Sequence, residues 1–187
     1  MRRIKTSRDN MPTISYDGNY ECWEDAIADS KGYQDMEILN KAKQSFEKIL
    51  LGKYKCERDT FLFDKFQYSL PLLVGLNLIQ KKVPKIRLLD FGGSFASSYF
   101  RNFDILQQFD LSWTVIEQKN LVQKACSMTR DFDQLFFLEE KDLENLISNK
   151  AFDVVMLGSC LQFLEKPHSL VSKFLHNELQ AVVIEQT

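Results

Sequence analysis

The sequence is short of the residues that most often announce a function. Two histidines in 187 residues leave too few imidazoles for a local zinc site. The four cysteines, Cys22, Cys56, Cys126 and Cys160, are widely spaced and form no C-x-x-C pair. No metal site is expected, and the thiols read as reduced and mostly buried, as in a cytoplasmic protein. The longest nearly unbroken apolar run, Leu70 to Ile79, is too short to span a bilayer. Arg2 and Arg3 have no apolar stretch behind them, so the N-terminus does not read as a secretory signal. Nor is one sign of charge in excess. Lys and Arg number 24 against 26 Asp and Glu, for a formal net charge of −2. The basic runs Arg2-Arg3-Ile4-Lys5 and Lys81-Lys82 are too short to make a patch for nucleic acid. Internal repeats and low-complexity segments are absent too.

What is present is a chain of ordinary globular composition, 44% hydrophobic and 27% charged, long enough for one sizeable domain with a helical appendage. Residues 1–20 are polar, with Pro12, Gly18 and Asn19, and read as a flexible lead-in. A short helix is predicted over Glu21 to Ser30, stopped by Lys31-Gly32. Asp35 can cap a second helix, in which Leu39, Ala42, Phe46, Ile49 and Leu50 recur at three- and four-residue steps and which Gly52 ends. A third, Phe66 to Gln80, is apolar enough to be largely buried, with Pro71 in its first turns. These helices make a cap over 21–84, bounded near Lys82–Pro84.

From Lys85 the texture changes. Strand-like runs at Ile86–Phe91, Trp113–Glu117, Leu135–Leu138, Phe152–Leu157 and Ala181–Glu185 alternate with helical segments at Ser97–Gln107, Leu121–Arg130, Leu143–Asn149 and Ser169–Asn177. Continuous apolar strands separated by helices describe a parallel sheet covered on both faces, here over 85–187. In such a sheet, ligands bind beyond the carboxyl ends of the strands, where strand order reverses. The turn after the first run, within Leu88–Phe100 "LLDFGGSFASSYF", faces that crevice. Gly92 and Gly93 permit backbone angles and close approach that a β-carbon would block. Asp90 at the strand end can orient the turn's amides or accept from the polar end of a ligand, and Ser94 with the N–H groups at the start of the Ser97 helix suits an electron-rich or anionic group. The second run, "WTVIEQ", closes with Glu117, placed to accept from both hydroxyls of a ribose, with Gln118 beside it. After the third run Glu139, Glu140 and Asp142 either meet an adenine amino group or simply start a helix. After the fourth, Gly158 and Ser159 lie under a ligand in the crevice, with Leu161 to Phe163 as one wall.

On these residues the sequence resembles class I S-adenosylmethionine-dependent methyltransferases, which have an acid-x-Gly turn, an acid closing the second strand and a loop of this kind after the fourth. More specifically it resembles a family of bacterial methyltransferases associated with surface-polysaccharide genes. The matching residues are Trp23 with Ala26, Gly32-Tyr33, Glu57-Arg58-Asp59, Leu89–Ser94 with Ser97–Phe100, Trp113 with Val115–Gln118, and Ser159 with Leu161-Gln162. The resemblance runs from Trp23 to the C-terminus. It implies a Rossmann-like, doubly wound, mostly parallel sheet in the order 3-2-1-4-5, S-adenosylmethionine as cofactor, and a small-molecule or saccharide acceptor such as a sugar of a surface polysaccharide.

Two departures stand out. Ala96 occupies the place of the last glycine of the turn, where its methyl either is tolerated or crowds the carboxypropyl end of the cofactor. The sequence stops at "AVVIEQT", so the two last strands usual in that superfamily are expected to be lacking. The fifth run would then be an open edge, so either the chain is truncated or a partner covers that edge, for which a homodimer across it is one expectation. The sequence does not name a catalytic residue. His168, Tyr99 and Asp59 are candidates, Tyr33 and Tyr99 are candidate liners of an acceptor pocket, and Arg58-Asp59 is either an ion pair closing the cap or a surface pair. Cys160 has no histidine at a suggestive spacing, and Asp131–Asp133 reads as a turn. Two other functions compete. A dinucleotide-dependent oxidoreductase would want G-x-G-x-x-G where Ser94, Phe95 and Ala96 stand. A non-catalytic or truncated binding or assembly module would keep the fold without the transfer.

Overall fold

The computed structural model describes residues 19–29, 36–176 and 178–185. Most of the predicted lead-in, the Asp35 cap, Gly32-Tyr33 and Asn177 lie outside them. The chain divides into two compact units, Met1–Gly32 and Tyr33–Thr187. In the first, helix α1 (Trp23–Asp29) carries acids in its first turn, and the Tyr20 hydroxyl donates to Asp29 Oδ2 at 2.5 Å.

The second unit opens with α2 (Met36–Leu50), which ends at Gly52 in a left-handed conformation, φ 68°. A hairpin follows, β1 (Cys56–Arg58) and β2 (Phe61–Phe63), paired antiparallel with Arg58 opposite Phe61. Helix α3 (Leu70–Ile79) is capped by the Ser69 side chain, with Pro71 in its first turn, where a missing N–H costs nothing. It coincides with the apolar run and starts four residues later than the helix predicted from Phe66. It is also only half buried. Leu72, Leu76 and Ile79 face the core, whereas Leu70, Val74 and Leu78 are 69%, 58% and 61% exposed.

Then come β3 (Ile86–Phe91), α4 (Ser97–Arg101), α5 (Phe103–Leu106), β4 (Leu111–Glu117), α6 (Lys119–Met128), β5 (Leu135–Glu139), α7 (Leu143–Ser148), β6 (Val154–Gly158), α8 (Pro167–Leu175) and β7 (Ala181–Glu185). The sheet order is β5-β4-β3-β6-β7, parallel throughout. This is the doubly wound α/β sheet and the 3-2-1-4-5 order expected of the five runs. No helix among the described residues is long and apolar enough to cross a membrane.

Alternation along each strand builds two cores. Leu88, Trp113, Val115, Leu135, Val154 and Met156 point to the face covered by α2, α3, α4, α5 and α6. Leu89, Phe91, Ile116, Val155 and Leu157 point to the face covered by α7 and α8. Because Leu39, Phe46, Ile49, Leu72, Leu76 and Ile79 join the first of these cores, α2, the hairpin and α3 form one unit with the sheet. The composition shift at Lys82–Pro84 falls just before the first strand of the sheet, β3 at Ile86. The free thiols divide evenly, Cys56 and Cys160 buried, Cys22 and Cys126 exposed, rather than being mostly buried.

Candidate functional site

Helices connecting β3 to β4 and β4 to β5 lie on one face, and those connecting β5 to β6 and β6 to β7 on the other. The order therefore reverses between β3 and β6, and the region beyond their carboxyl ends is where an open sheet of this kind offers a crevice to a ligand. Its floor is the turn after β3. Gly92 (φ 72°), Ser94 (φ 54°) and Ala96 (φ 60°) are all left-handed, so every second residue turns back and the chain stays compact over the strand ends. The glycines are explained first by the protein's own packing. A β-carbon on Gly92 would lie 3.0 Å from Cys160 Cβ, and one on Gly93 would lie 2.5 Å from Asp90 Cγ. On that side the space expected to admit a ligand is filled by Cys160 and Asp90. The Ala96 methyl is fully buried and packs into the core under α4, which leaves it clear of the crevice.

The two strand-end acids differ in character. Asp90 is 1% exposed and accepts from Trp113 Nε1 at 3.2 Å. Burial, which disfavours its charged form, pushes its carboxyl up to about 7. It braces the turn from below. Glu117 sits half-buried at the end of β4. Its Oε1 accepts the Ser94 N–H at 3.0 Å and its Oε2 the Gln118 N–H at 3.0 Å. Burial raises its pKa and the two backbone donors oppose that rise. An ionised carboxylate accepts about four hydrogen bonds, so Glu117 keeps capacity on each oxygen after tying the turn to β4. Gln118, half-buried, stands at the start of α6 without capping it.

The β6–β7 side of the crevice is more polar than the sequence suggests. Ser159 is left-handed (φ 51°), its N–H donates to Glu185 O at 2.9 Å, and its buried hydroxyl has no partner among the described residues. Gly158 pairs in register with Glu185 and has room for a β-carbon, 3.8 Å from Ser98 Oγ. Beneath, Arg101, 5% exposed, pairs with Glu185 Oε2 at 2.5 Å, while its Nε finds no partner among the described residues. From the hairpin, Glu57, 8% exposed, accepts the hydroxyl proton of Ser97 on Oε1 and the Thr60 N–H on Oε2 at 2.9 Å. Glu57, Arg101 and Glu185 are the residues that sequence reasoning missed. Glu57 lies in the "ERD" run, where Arg58 and Asp59 are the more obvious pair. Arg101 and Glu185 meet across 84 positions, which leaves no local signal.

The remaining candidates fall elsewhere. Tyr99 is buried, its ring 5.6 Å from those of Phe103 and Trp113. Asp59 is exposed at the hairpin turn (φ 50°), and among the described residues no ion pair joins it to Arg58, whose guanidinium lies over the Phe63 ring at 5.8 Å. His168 is exposed on the first turn of α8. Glu139 and Asp142 cap the single helical turn Glu140–Asp142 reciprocally, which is the helix-start reading. Burial pushes the Cys160 thiol up to about 12, which removes the thiolate a nucleophile needs.

No family model matches the chain, and no curated protein matches its sequence. Solved structures resemble it in part. EvdMO1 is 17% identical with a TM-score of 0.44, over 79% of this chain and 34% of that one. The N-terminal domain of EvdMO1, solved with S-adenosylhomocysteine and D-fucose, is 13% identical with a TM-score of 0.45, over 82% and 66%. The Podospora anserina methyltransferase PaMTH1, with S-adenosylhomocysteine bound, is 12% identical with a TM-score of 0.44, over 89% and 69%. The chain thus spans about a third of EvdMO1 and less than two thirds of the next structure, the cyclase SpnF, at 56%. The fold stands on the strand order itself.

Proposed function

We propose that the crevice binds S-adenosylmethionine and that the protein is a methyltransferase. The observation that carries this reading is Glu117. Its carboxylate is fixed at the end of β4 by the Ser94 N–H, at the point of strand reversal, with acceptor capacity left for the two donors of a ribose diol. The residues present suit the group in a second way. Ser159 holds a buried hydroxyl without a partner among the described residues at the end of β6, where a ligand crossing from β4 would reach. The cofactor supplies a methyl group already activated on a sulfonium. The protein's share is to hold the ribose at Glu117 and Gln118, shape the floor with Gly92, Gly93, Ser94 and Asp90, present Gly158 and Ser159 on the far side, and exclude water while an acceptor is aligned. By the family resemblance, that acceptor is a sugar of a bacterial surface polysaccharide.

A second reading is favoured by one observation. The candidate bases His168, Tyr99 and Asp59 are exposed on α8, buried in the core and exposed on the hairpin turn, respectively. An oxygen acceptor needs a base within hydrogen-bond reach, so a binding or assembly module that retains the cofactor without transferring its methyl group is the alternative.

Calorimetric titration with S-adenosylmethionine, S-adenosylhomocysteine and NAD separates the possibilities. Selective binding of the first two is expected, and Glu117→Ala weakens them by about 10- to 100-fold, the range for losing charge-assisted hydrogen bonds. Binding of NAD alone, or of nothing by a folded sample, overturns the reading. Transfer of a labelled methyl group to a polysaccharide precursor then decides between enzyme and module.

A further inference from the structure

Glu57 is a buried carboxylate that, among the described residues, has no ion-pair partner. The nearby buried guanidinium, Arg101, is committed to Glu185. Buried charge without a counter-charge is costly and calls for one. Glu57 is nonetheless held firmly, by the Thr60 N–H and by the Ser97 hydroxyl, on a hairpin turn that Ser45 Oγ fixes through Thr60 O at 2.9 Å. Ser97 in turn is tied to the glycine turn, its N–H donating to Gly93 O at 3.1 Å.

A serine hydroxyl has one proton and two lone pairs. Since the Ser97 proton goes to Glu57, whatever else meets that oxygen must be a donor. Ser97 is half-buried at the start of α4, one residue before Ser98, which borders Gly158. It lies three residues along the turn from Ser94, the residue that carries Glu117. A ligand with its diol at Glu117 and its other end toward β6 therefore passes an acceptor-only hydroxyl backed by an unpaired negative charge.

We propose that Glu57 is a positioning residue that, by taking the proton of Ser97, makes that hydroxyl a reader of the ammonium group on the amino-acid end of the bound nucleoside. The inference rests on the cofactor reading above and adds to it the source of selectivity for the zwitterionic end. It also accounts for the hairpin, which delivers Glu57 to the crevice.

The test is calorimetry of the whole chain with three probes: S-adenosylhomocysteine, its analogue lacking the α-amino group, and 5′-methylthioadenosine, which lacks the amino-acid arm. Wild type is expected to favour S-adenosylhomocysteine over the deaminated analogue by about tenfold or more, equivalent to roughly 1.4 kcal/mol. Glu57→Gln and Ser97→Ala each erase that preference, the double variant is no worse than the poorer single one, and affinity for 5′-methylthioadenosine stays within about twofold. A merely structural role would weaken all three probes together, and that result overturns the proposal. So does a variant that keeps the preference, or a wild type that binds all three without discrimination, which leaves the cofactor reading intact. A folded wild type that binds none of them removes both.

Discussion

The two ends of the central sheet treat carboxylates in opposite ways. At the amino end, Asp153 precedes β6 and meets Arg87 of β3. Its Oδ1 accepts from Arg87 Nη2 at 2.7 Å and its Oδ2 from the Arg87 N–H at 2.9 Å, and these bonds hold its pKa below the ordinary value. At the carboxyl end, Asp90, Glu117 and Glu57 are all pushed upward, with burial as the first cause in each. At the amino end the charge of Asp153 is satisfied by Arg87. At the carboxyl end Glu185 and Glu139 also have cations, Arg101 and Lys141, but Asp90, Glu117 and Glu57 are hydrogen-bonded without, among the described residues, a cation in contact with them. Such an arrangement costs stability and suits a site awaiting a ligand.

The largest expected effect exploits that contrast through pH. Asp90 has a folded value raised from 3.8 to about 7, so between those limits the folded state binds the extra proton. Stability from this group is therefore complete at low pH and is lost as pH rises from about 4 to about 7, by at most about 4 kcal/mol at 1.36 kcal/mol per unit. Asp90→Asn keeps the shape and an acceptor for Trp113 but cannot ionise. Denaturant unfolding as a function of pH is expected to show the variant gaining on wild type across that window and exceeding it at pH 8. Parallel curves would mean that Asp90 is charged in the folded protein and that the contrast is wrong. The other end answers with the opposite sign. Asp153, its pKa lowered, adds stability above the ordinary aspartate value and loses it only as pH falls further. Because its Arg87 partner is 46% exposed, solvent screening limits the pair, and Asp153→Asn is expected to cost only about 1 kcal/mol at pH 7.

Between these lies the steric half of the comparison. Gly93→Ala would place a β-carbon against the Asp90 carboxyl, at 2.5 Å from Cγ and 2.9 Å from Oδ1. That carboxyl is held by Trp113 and fully buried, so overpacking of about 1–3 kcal/mol is expected. Combining Gly93→Ala with Asp90→Ala makes room and should recover part of the loss. If the pair is merely additive, Asp90 is not what forbids a side chain at position 93.

What the sequence disclosed followed from local rules. Strand runs such as Ile86–Phe91 are continuously apolar because both faces are covered, and their alternation with helices leaves few possible orders. The switch point, the turn and Glu117 follow from that order. What stayed hidden depends on partners distant in sequence. The helix predicted over Ser97–Gln107 breaks at Asn102, whose Oδ1 accepts the Ser69 N–H at 2.9 Å while its Nδ2 donates to Ser98 O at 2.8 Å. The first of these contacts spans 33 positions. The hairpin turns on Asp59 and Thr60, both left-handed at φ 50° and 69°. A β-branched threonine there gives no turn signal, so no hairpin can be read from "CERDTFLF". Helix α3 is apolar on all sides, and no period in its sequence distinguishes the face that packs from the face left exposed.

The smallest expected effect separates the two non-glycine residues that share the left-handed turn. Ser94 and Ala96 have φ 54° and 60°, a region that costs an L-residue about 1–2 kcal/mol. Glycine at either position removes that cost but adds about 0.5–1 kcal/mol of unfolded-chain entropy. Ser94 is half-buried, and its role toward Glu117 is played by its backbone N–H, which glycine retains. Ser94→Gly is therefore expected to stabilise by about 0.5 kcal/mol with ligand binding unchanged. Ala96 additionally buries its methyl completely, worth about 0.8 kcal/mol, so Ala96→Gly is expected to be neutral or slightly destabilising. Paired denaturant melts resolve the difference. If Ala96→Gly proves the more stabilising of the two and also tightens S-adenosylhomocysteine, the methyl reaches into the crevice after all, and the turn is strained for want of its last glycine rather than secured by the core beneath it.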